Sequence, residues 1–163
     1  MSKQASNKVK IKIDLLNEGF QGPQEDEILH WLEPLFADPQ IKISRNEVYI
    51  SFSMITLNDM QQLNKQYRQK DKPTNVLSFP CTIPNAPHGF LGDIVLCAPQ
   101  IEKEATEQAK ELKAHWAHLV IHGTLHLLGY DHETEQDANI MENLEITLLE
   151  KLSFPNPYGE LHE

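Results

Sequence analysis

The segment HGTLHLLGYDH, residues 122–132, constrains this chain more than any other, because it places three histidines at a fixed spacing. His122 and His126 lie four residues apart in an apolar stretch typical of a helix, so their imidazoles share one helix face. Gly129 then supplies the left-handed residue that ends a helix and turns the chain. His132 follows the turn and can face the same point. The pattern predicts a metal site with three neutral imidazole ligands and a fourth position open for water.

The same spacing occurs in the metzincin peptidases, whose motif is H-E-x-x-H-x-x-G-x-x-H. One position differs, since Gly123 stands where these enzymes have the glutamate that activates water. A lone histidine is usually structural, but three at this spacing with the glycine in place favour a metal. Zinc suits three neutral imidazoles, although the ligands alone do not exclude nickel, iron or copper. His115 and His118 lie too far upstream to replace His132, and one of them is expected to be at most a rim contact.

Two further segments accompany the histidine motif: DKPTNVLSFP at 71–80 and LGDIVLCAP at 91–99. Together the three resemble the H-G-x-L-H-L-x-G-Y-D-H, D-x-P-T-D-V-L-S-F-P and L-G-D-I-x-I-x-x-P segments of the YbeY family of bacterial endoribonucleases. The resemblance runs from about Val48 to about Leu152, and the first forty or so residues match only as a strand-then-helix layout. Asn75 departs from the family, in which aspartate is usual. If that aspartate orders the loop, asparagine can do part of its work; if it transfers protons, activity is in doubt.

The resemblance implies a metal-dependent endoribonuclease specific for single-stranded RNA, acting in ribosomal RNA maturation near the small-subunit 3′ end and in ribosome quality control. It implies one Zn²⁺ ion on His122, His126 and His132, with His122 also catalytic, and the small ribosomal subunit as partner. Ribosomal proteins and an assembly GTPase are further partners on this view; DNA and membranes are not. Arg68 matches the family's arginine ahead of the D-x-P-T segment, which implies a role in catalysis and RNA binding. Without the resemblance, Arg68 would be interpreted as a surface residue.

Net charge argues against nucleic-acid binding, since the chain carries −10 at pH 7. The charge is uneven, however: residues 1–72 hold ten basic and ten acidic side chains, whereas residues 73–163 hold four and fourteen. Four basic residues cluster near the D-x-P-T segment, and we predict that they contact RNA: Lys65, Arg68, Lys70 and Lys72. Salt screens charges beyond about 10 Å, so this local potential matters more than the total.

Length and composition predict one domain over residues 1–163, with flexible tails at 1–7 and about 155–163. No apolar run is long enough to span a membrane, and the N-terminus lacks the apolar core of a secretion signal. Cys81 and Cys97 occur in apolar segments and are expected to be buried thiols, which favours the cytoplasm.

Hydrophobic periodicity predicts an α+β fold, in which a mixed four-stranded sheet is packed with about five helices and the metal site lies on a helix and the turn after it. The expected strands are 9–15, 47–54, 75–79 and 92–98, the last of them central. The expected helices are 24–37, one from 57 to Arg68, 100–110, 112–128 and one capped by Thr134. Pro34 predicts a kink or an early end of the first helix.

Several roles stay open on the sequence alone. The general base could be metal hydroxide, the 2′-OH of the RNA or a distant carboxylate such as Glu142 or Glu145. Asp131 and Asp93 could orient a ligating histidine or merely cap turns. Two other functions also fit the residues: a metzincin-like zinc peptidase lacking the usual glutamate, and a non-catalytic assembly factor whose metal is structural.

Overall fold

The computed structural model describes residues 8–159, and within them it has four strands and five α-helices. In chain order the elements are β1 (Lys10–Leu16), α1 (Glu25–Ala37), β2 (Glu47–Ile55), α2 (Leu57–Arg68), β3 (Val76–Pro80), β4 (Phe90–Cys97), α3 (Ala98–Glu107), α4 (Leu112–Leu127) and α5 (Glu135–Lys151). This arrangement confirms the predicted α+β class. None of the helices in the described range is both long and apolar enough to cross a bilayer. The expected tail at 1–7 lies outside the described residues.

The four strands form one mixed sheet in the order β1-β2-β4-β3. β1, β2 and β4 run parallel, whereas β3 is antiparallel to β4. The alternation in β2 buries every second side chain, as in Ile50 and Phe52, and Phe52 lies opposite the buried Ile94 of β4. β4 is therefore an inner strand, as its continuous apolar character predicted.

Two helices differ from expectation at positions that involve proline. α1 runs through Pro34 and ends only at Ala37, so the early end was not found; α1 stays packed because Ile28, Leu32 and Leu35 are fully buried. α3 begins at Ala98 rather than at residue 100, because Pro99 occupies its first turn, where a missing N–H breaks no helical hydrogen bond.

α4 is the central helix of the molecule, and it is buried on nearly every side. It contacts β3 and β4 as well as α1, α3 and α5, and its buried residues include Trp116, Leu119, Val120 and Leu127, as predicted. A helix that is apolar all round belongs inside a core. Cys97 is fully buried, as expected, whereas Cys81 is only partly covered.

Gly123 allows α4 to pack closely against the sheet. A Cβ atom at this position would lie 3.2 Å from the Ile94 Cγ2, Ser78 Oγ and Val76 Cγ2 atoms. The Ser78 hydroxyl also donates a hydrogen bond of 2.8 Å to the Gly123 carbonyl. The turn of α4 that begins at His122 is therefore held directly against the neighbouring strand, which gives the histidine motif a rigid base.

Candidate metal centre and active site

The end of α4 brings the third histidine back toward the first two. The Gly129 N–H donates to the His126 carbonyl at 3.0 Å, and the Tyr130 N–H donates to the Leu125 carbonyl at 3.1 Å. These two bonds are those of a Schellman motif, in which the residue after the helix adopts a left-handed conformation. Gly129 has φ +101°, which only glycine adopts without strain. The predicted helix ending is confirmed, and it directs His132 toward the helix face that carries the other two rings.

The three predicted ligands converge. His122, His126 and His132 each offer a ring nitrogen, and these atoms all lie within 4.8 Å of one another. The His122 and His126 ring centroids are 4.5 Å apart, and that of His132 is 5.7 Å from the former and 5.2 Å from the latter. His132 is exposed and the other two rings are partly exposed, so the cluster is open to solvent on one side.

The hydrogen bonds of two rings determine which nitrogen is free. His122 Nδ1–H donates to Glu145 Oε2 at 2.5 Å, and His126 Nδ1–H donates to the Tyr130 carbonyl at 2.9 Å. Each neutral ring then carries its lone pair on Nε2, and the two Nε2 atoms face each other at 3.1 Å. Two lone pairs at this distance repel unless a cation lies between them. A tetrahedral Zn²⁺ would hold two such nitrogens about 3.3 Å apart, so the donor set fits a metal ion.

The lowered pKa of His126 also favours binding of a metal ion. Burial lowers its pKa to about 4, and repulsion from the neighbouring His122 contributes to that shift. The ring is therefore neutral at physiological pH, and a metal ligand must be neutral in order to offer its lone pair.

Glu145 on α5 supports the cluster from behind. Its side chain is fully buried, and its carboxylate accepts hydrogen bonds from His122 Nδ1, from His118 Nε2 at 3.0 Å and from the Tyr158 hydroxyl. Burial alone would raise the pKa of Glu145, but the hydrogen bonds from His118 and His122 lower it to about 2. Glu145 is thus a charged acceptor next to the site rather than a distant carboxylate. It holds the His122 ring in place, in the way that outer carboxylates commonly orient histidines at metal sites.

Neither aspartate considered for this orienting role fills it. Asp131 Oδ1 accepts from the Glu133 N–H at 3.2 Å and so caps the turn before α5. Asp93 is exposed on β4, and no hydrogen bond joins it to a histidine within residues 8–159. Asp131 therefore caps a turn and does not orient a histidine of the described range.

The structure places neither His115 nor His118 at the rim of the site, where at most a contact by one of them was expected. Both rings are buried, with 4% and 9% of their surface exposed, because other elements surround α4. His118 binds Glu145 as described, and His115 Nε2 binds Glu104 Oε1 at 2.9 Å. Asn75 Nδ2 donates to the same Glu104 atom at 3.0 Å. This contact favours a loop-ordering role for position 75 over proton transfer.

Arg68 contacts β3, the strand that packs against α4. It is the last residue of α2, and the next residue adopts a left-handed conformation with φ 58°, which ends the helix. Arg68 Nη2 donates to the Ser78 carbonyl at 3.4 Å, and Ser78 in turn binds Gly123, the neighbour of His122. Two hydrogen bonds through one serine thus connect the guanidinium to the turn of α4 that carries His122.

The three predicted RNA-binding lysines are exposed on α2 and the loop after it: Lys65, Lys70 and Lys72. Asn64 Nδ2 donates to the Lys72 carbonyl at 2.8 Å and ties this loop to α2. Lys65 Nζ lies 3.8 Å from Asp71, which offsets part of its charge. Lys65 precedes Arg68 in the chain and Lys70 and Lys72 follow it. Their contact with RNA stays a prediction.

Comparison with known proteins decides the family. The profile of the family described as "Endoribonuclease YbeY" matches residues 16–153. The chain belongs to the YbeY endoribonuclease family. A relative named Endoribonuclease YbeY from Francisella tularensis subsp. holarctica is 46% identical, covering 94% of this chain and 95% of the relative. One of the same name from Cellvibrio japonicus is 43% identical over 94% of this chain and 85% of its own length.

A solved structure shares this fold. The solution structure of a Thermotoga maritima protein is 28% identical, has a TM-score of 0.56, and covers 85% of this chain and 87% of its own. Membership makes the chain an endoribonuclease, and the peptidase and assembly-factor alternatives are not favoured. The packing at Gly123 gives a physical reason against the peptidase, because the first side-chain atom of a glutamate there would already lie 3.2 Å from atoms of Ile94, Ser78 and Val76.

Sequence reasoning missed the supporting residues of this YbeY site. Glu145 shares the buried face of α5 with Met141, Leu144, Leu148 and Leu149. A lone acid on an apolar stripe is a signal, since buried carboxylates need partners. Tyr158 lies in the expected tail 155–163, yet its hydroxyl binds Glu145, and residues 160–163 lie outside the described range.

Proposed function

We propose that this endoribonuclease cleaves single-stranded ribosomal RNA during maturation near the small-subunit 3′ end, with one Zn²⁺ held by His122, His126 and His132. The observation that carries the metal assignment is the pair of Nε2 atoms that face each other at 3.1 Å while both Nδ1 atoms donate elsewhere. The family supplies the activity on RNA. The choice of ribosomal RNA, the cytoplasm as location and a role in ribosome quality control come from the resemblance described above.

The residues divide the chemistry between them. A bound Zn²⁺ would polarise a phosphoryl oxygen and make water more acidic. Arg68 would bind the phosphate through parallel N–H donors and stabilise the charge that grows in the transition state. His122 acts as a ligand whose ring Glu145 keeps in the right tautomer. Glu145 itself does not take a proton from the substrate directly, because it is fully buried and already accepts three hydrogen bonds.

The partners follow from the same proposal. Lys65, Lys70 and Lys72 would follow the RNA backbone beside Arg68 and draw the strand toward the metal despite the acidic total charge. The small ribosomal subunit is the proposed partner, with ribosomal proteins and an assembly GTPase as further candidates, and without DNA or membrane binding.

The test uses zinc-loaded full-length protein and a labelled RNA that carries the small-subunit 3′ end, single-stranded or annealed to its complement. We expect cleavage of the single-stranded form, which chelation abolishes and zinc restores. Arg68→Ala should lower kcat/KM about 10²–10³-fold, the usual effect of removing one donor to transition-state charge. The matched control is Arg45→Ala, because Arg45 also donates to a backbone carbonyl, that of Ala86, but does so at 2.7 Å in another part of the fold.

Casein serves as the competing substrate. Chelator-sensitive casein cleavage together with intact RNA would overturn the proposal in favour of a peptidase. Unchanged RNA cleavage by folded Arg68→Ala would remove Arg68 from the mechanism.

A further inference from the structure

We infer that Tyr158 is a positioning residue of the metal centre, which acts through Glu145 on the ring of His122. The inference rests on the proposed function only in taking His122 as a metal ligand. Tyr158 lies beyond residue 153, where the family match ends. It belongs to the segment 155–163, which the sequence predicted to be a flexible tail. The observation that carries it is a pair of hydrogen bonds that meet at the buried Glu145 carboxylate, which accepts from the Tyr158 hydroxyl through Oε1 and from His122 Nδ1–H through Oε2.

The chain after α5 folds back to bring Tyr158 to this place. The Phe154 N–H donates to the Leu149 carbonyl at 2.9 Å, and the Phe154 ring lies edge-on to Trp31 at 6.4 Å. Asn156 Oδ1 then accepts from the Tyr158 N–H at 2.8 Å and turns the chain once more. The segment is thus packed against the helices.

The Tyr158 side chain contacts both Glu145 and His118, which support the histidine cluster. Its hydroxyl donates to Glu145 Oε1 and lies 3.5 Å from His118 Nε2. Its ring packs edge-on against the His118 ring, with centroids 5.5 Å apart and planes at 81°. Burial and the neighbouring Glu145 charge raise the pKa of Tyr158, so the phenol keeps its proton and remains a donor.

The division of donors between the two carboxylate oxygens explains the effect on His122. Oε2 of Glu145 accepts from His122, whereas Oε1 accepts from both His118 and Tyr158. A buried carboxylate with too few donors moves toward those that remain. Without the tyrosine hydroxyl, Oε1 would accept a hydrogen bond from His118 only. The carboxylate would then no longer be held in the position that accepts the hydrogen bond from His122 Nδ1. The His122 Nε2 lone pair would then be less well directed at the metal.

The same inner residues admit a rival interpretation. Ring nitrogens of His118 and His122 and a carboxylate oxygen of Glu145 all lie within 4.8 Å of one another and could themselves hold a metal. The 2.5 Å distance from His122 Nδ1 to Glu145 Oε2 favours support over ligation, because two ligands of one tetrahedral zinc lie about 3.3 Å apart. A charge-assisted hydrogen bond is short in this way. The inner group is therefore a scaffold for one metal site.

The experiment compares zinc binding by the full-length wild type and Tyr158→Phe, with Tyr49→Phe as matched control. Tyr49 also donates its hydroxyl to a carboxylate, that of Asp14, but on the β1–β2 side of the sheet. Zinc affinity is measured by competition with a chromophoric chelator, and stoichiometry by elemental analysis. Loss of an outer-sphere partner typically weakens metal binding about 10–100-fold. We expect about 3–10-fold weaker binding in Tyr158→Phe, one step further out, and about 10–100-fold in Glu145→Gln.

Three further results accompany that expectation: one ion per chain, an unchanged KM for RNA with a lower kcat, and wild-type zinc affinity in Tyr49→Phe. A zinc affinity of Tyr158→Phe within twofold of wild type overturns the inference and leaves the proposed function intact. Two ions per wild-type chain, with one lost in Tyr158→Phe, also overturns it, because the inner group would then be a ligand set. A wild type that binds no zinc overturns the proposed function itself.

A second measurement decides the matter if Tyr158→Phe does not fold. Proton NMR of the zinc-loaded wild type should show slowly exchanging, downfield signals for the Tyr158 hydroxyl and the His122 Nδ1 proton. Fast exchange of the Tyr158 hydroxyl proton would overturn the inference.

Discussion

Gly123 makes a sharp test of how the site is built, because one methyl group there probes the contact between the ligand helix and the sheet. In Gly123→Ala, the new Cβ would lie 3.2 Å from atoms of Ile94, Ser78 and Val76. Overpacking of this kind costs about 1–3 kcal/mol, whereas alanine in a helix gains about 1 kcal/mol over glycine. The net change is a loss of about 0–2 kcal/mol in the free energy of unfolding.

The measurement is urea denaturation of the zinc-free protein, with zinc affinity and RNA cleavage measured beside it. Because His122 is the next residue, a shift of α4 by a few tenths of an ångström should also weaken zinc binding. A Gly123→Ala protein that is about 1 kcal/mol more stable than wild type would refute the reasoning. Its stability would then reflect the higher helix propensity of alanine without any cost of overpacking. α4 would then not pack against the sheet as closely as described.

Gly123→Glu extends the same test to the peptidase pattern. A glutamate at this position would enter the contact between α4 and the sheet and bury an unpaired charge. We expect a loss of more than about 4 kcal/mol, the range typical of such burial, and no hydrolysis of casein. A folded Gly123→Glu protein that cleaves casein only with zinc bound would show that the space exists after all.

The remaining predictions concern the ligands, the turn and position 75. His126→Ala should abolish tight zinc binding by elemental analysis, and zinc should no longer raise the melting temperature, whereas it should stabilise wild type by about 4 kcal/mol at a thousandfold excess over Kd. Gly129→Ala should cost about 1–2 kcal/mol in urea denaturation and weaken zinc binding, because a left-handed alanine is strained although its Cβ meets nothing within 4 Å; an unchanged zinc affinity would contradict the role of the turn. Asn75→Asp should place a second carboxylate against Glu104, so that repulsion raises the pKa of the pair. Its loss of unfolding free energy should therefore be largest at pH 7 and shrink as the pH falls toward 4.5, and a loss independent of pH would refute this account.

The placement of the site on a buried helix explains how a small domain holds three imidazoles in position. α4 is fixed by the sheet on one side and by α1, α3 and α5 on others, so its side chains have little freedom. The position of the His132 ring depends on the turn after α4, which also supplies the Tyr130 carbonyl that accepts from His126 Nδ1. Rigid support of this kind lets the unliganded rings stay close to binding geometry, which reduces the cost of ordering them when a metal binds.

Local features of the sequence were enough to predict the convergence of the three histidines and the class of fold. His122 and His126 are adjacent on any helix, and Gly129 ends a helix through its own backbone preference, so neither needs distant residues. The alternation in β2 likewise predicts its buried face. These interactions join residues within a few positions of each other, and periodicity reports them directly.

The support of the ligands was decided only by the tertiary structure. Glu145 is 23 residues from His122 in the chain and Tyr158 is 13 residues from Glu145, so no spacing rule links them. The burial of His115 and His118 likewise depends on which elements surround α4. A charged or polar group inside a core is stable only if distant parts of the chain bring donors and acceptors to it, and that meeting is a property of the packed fold.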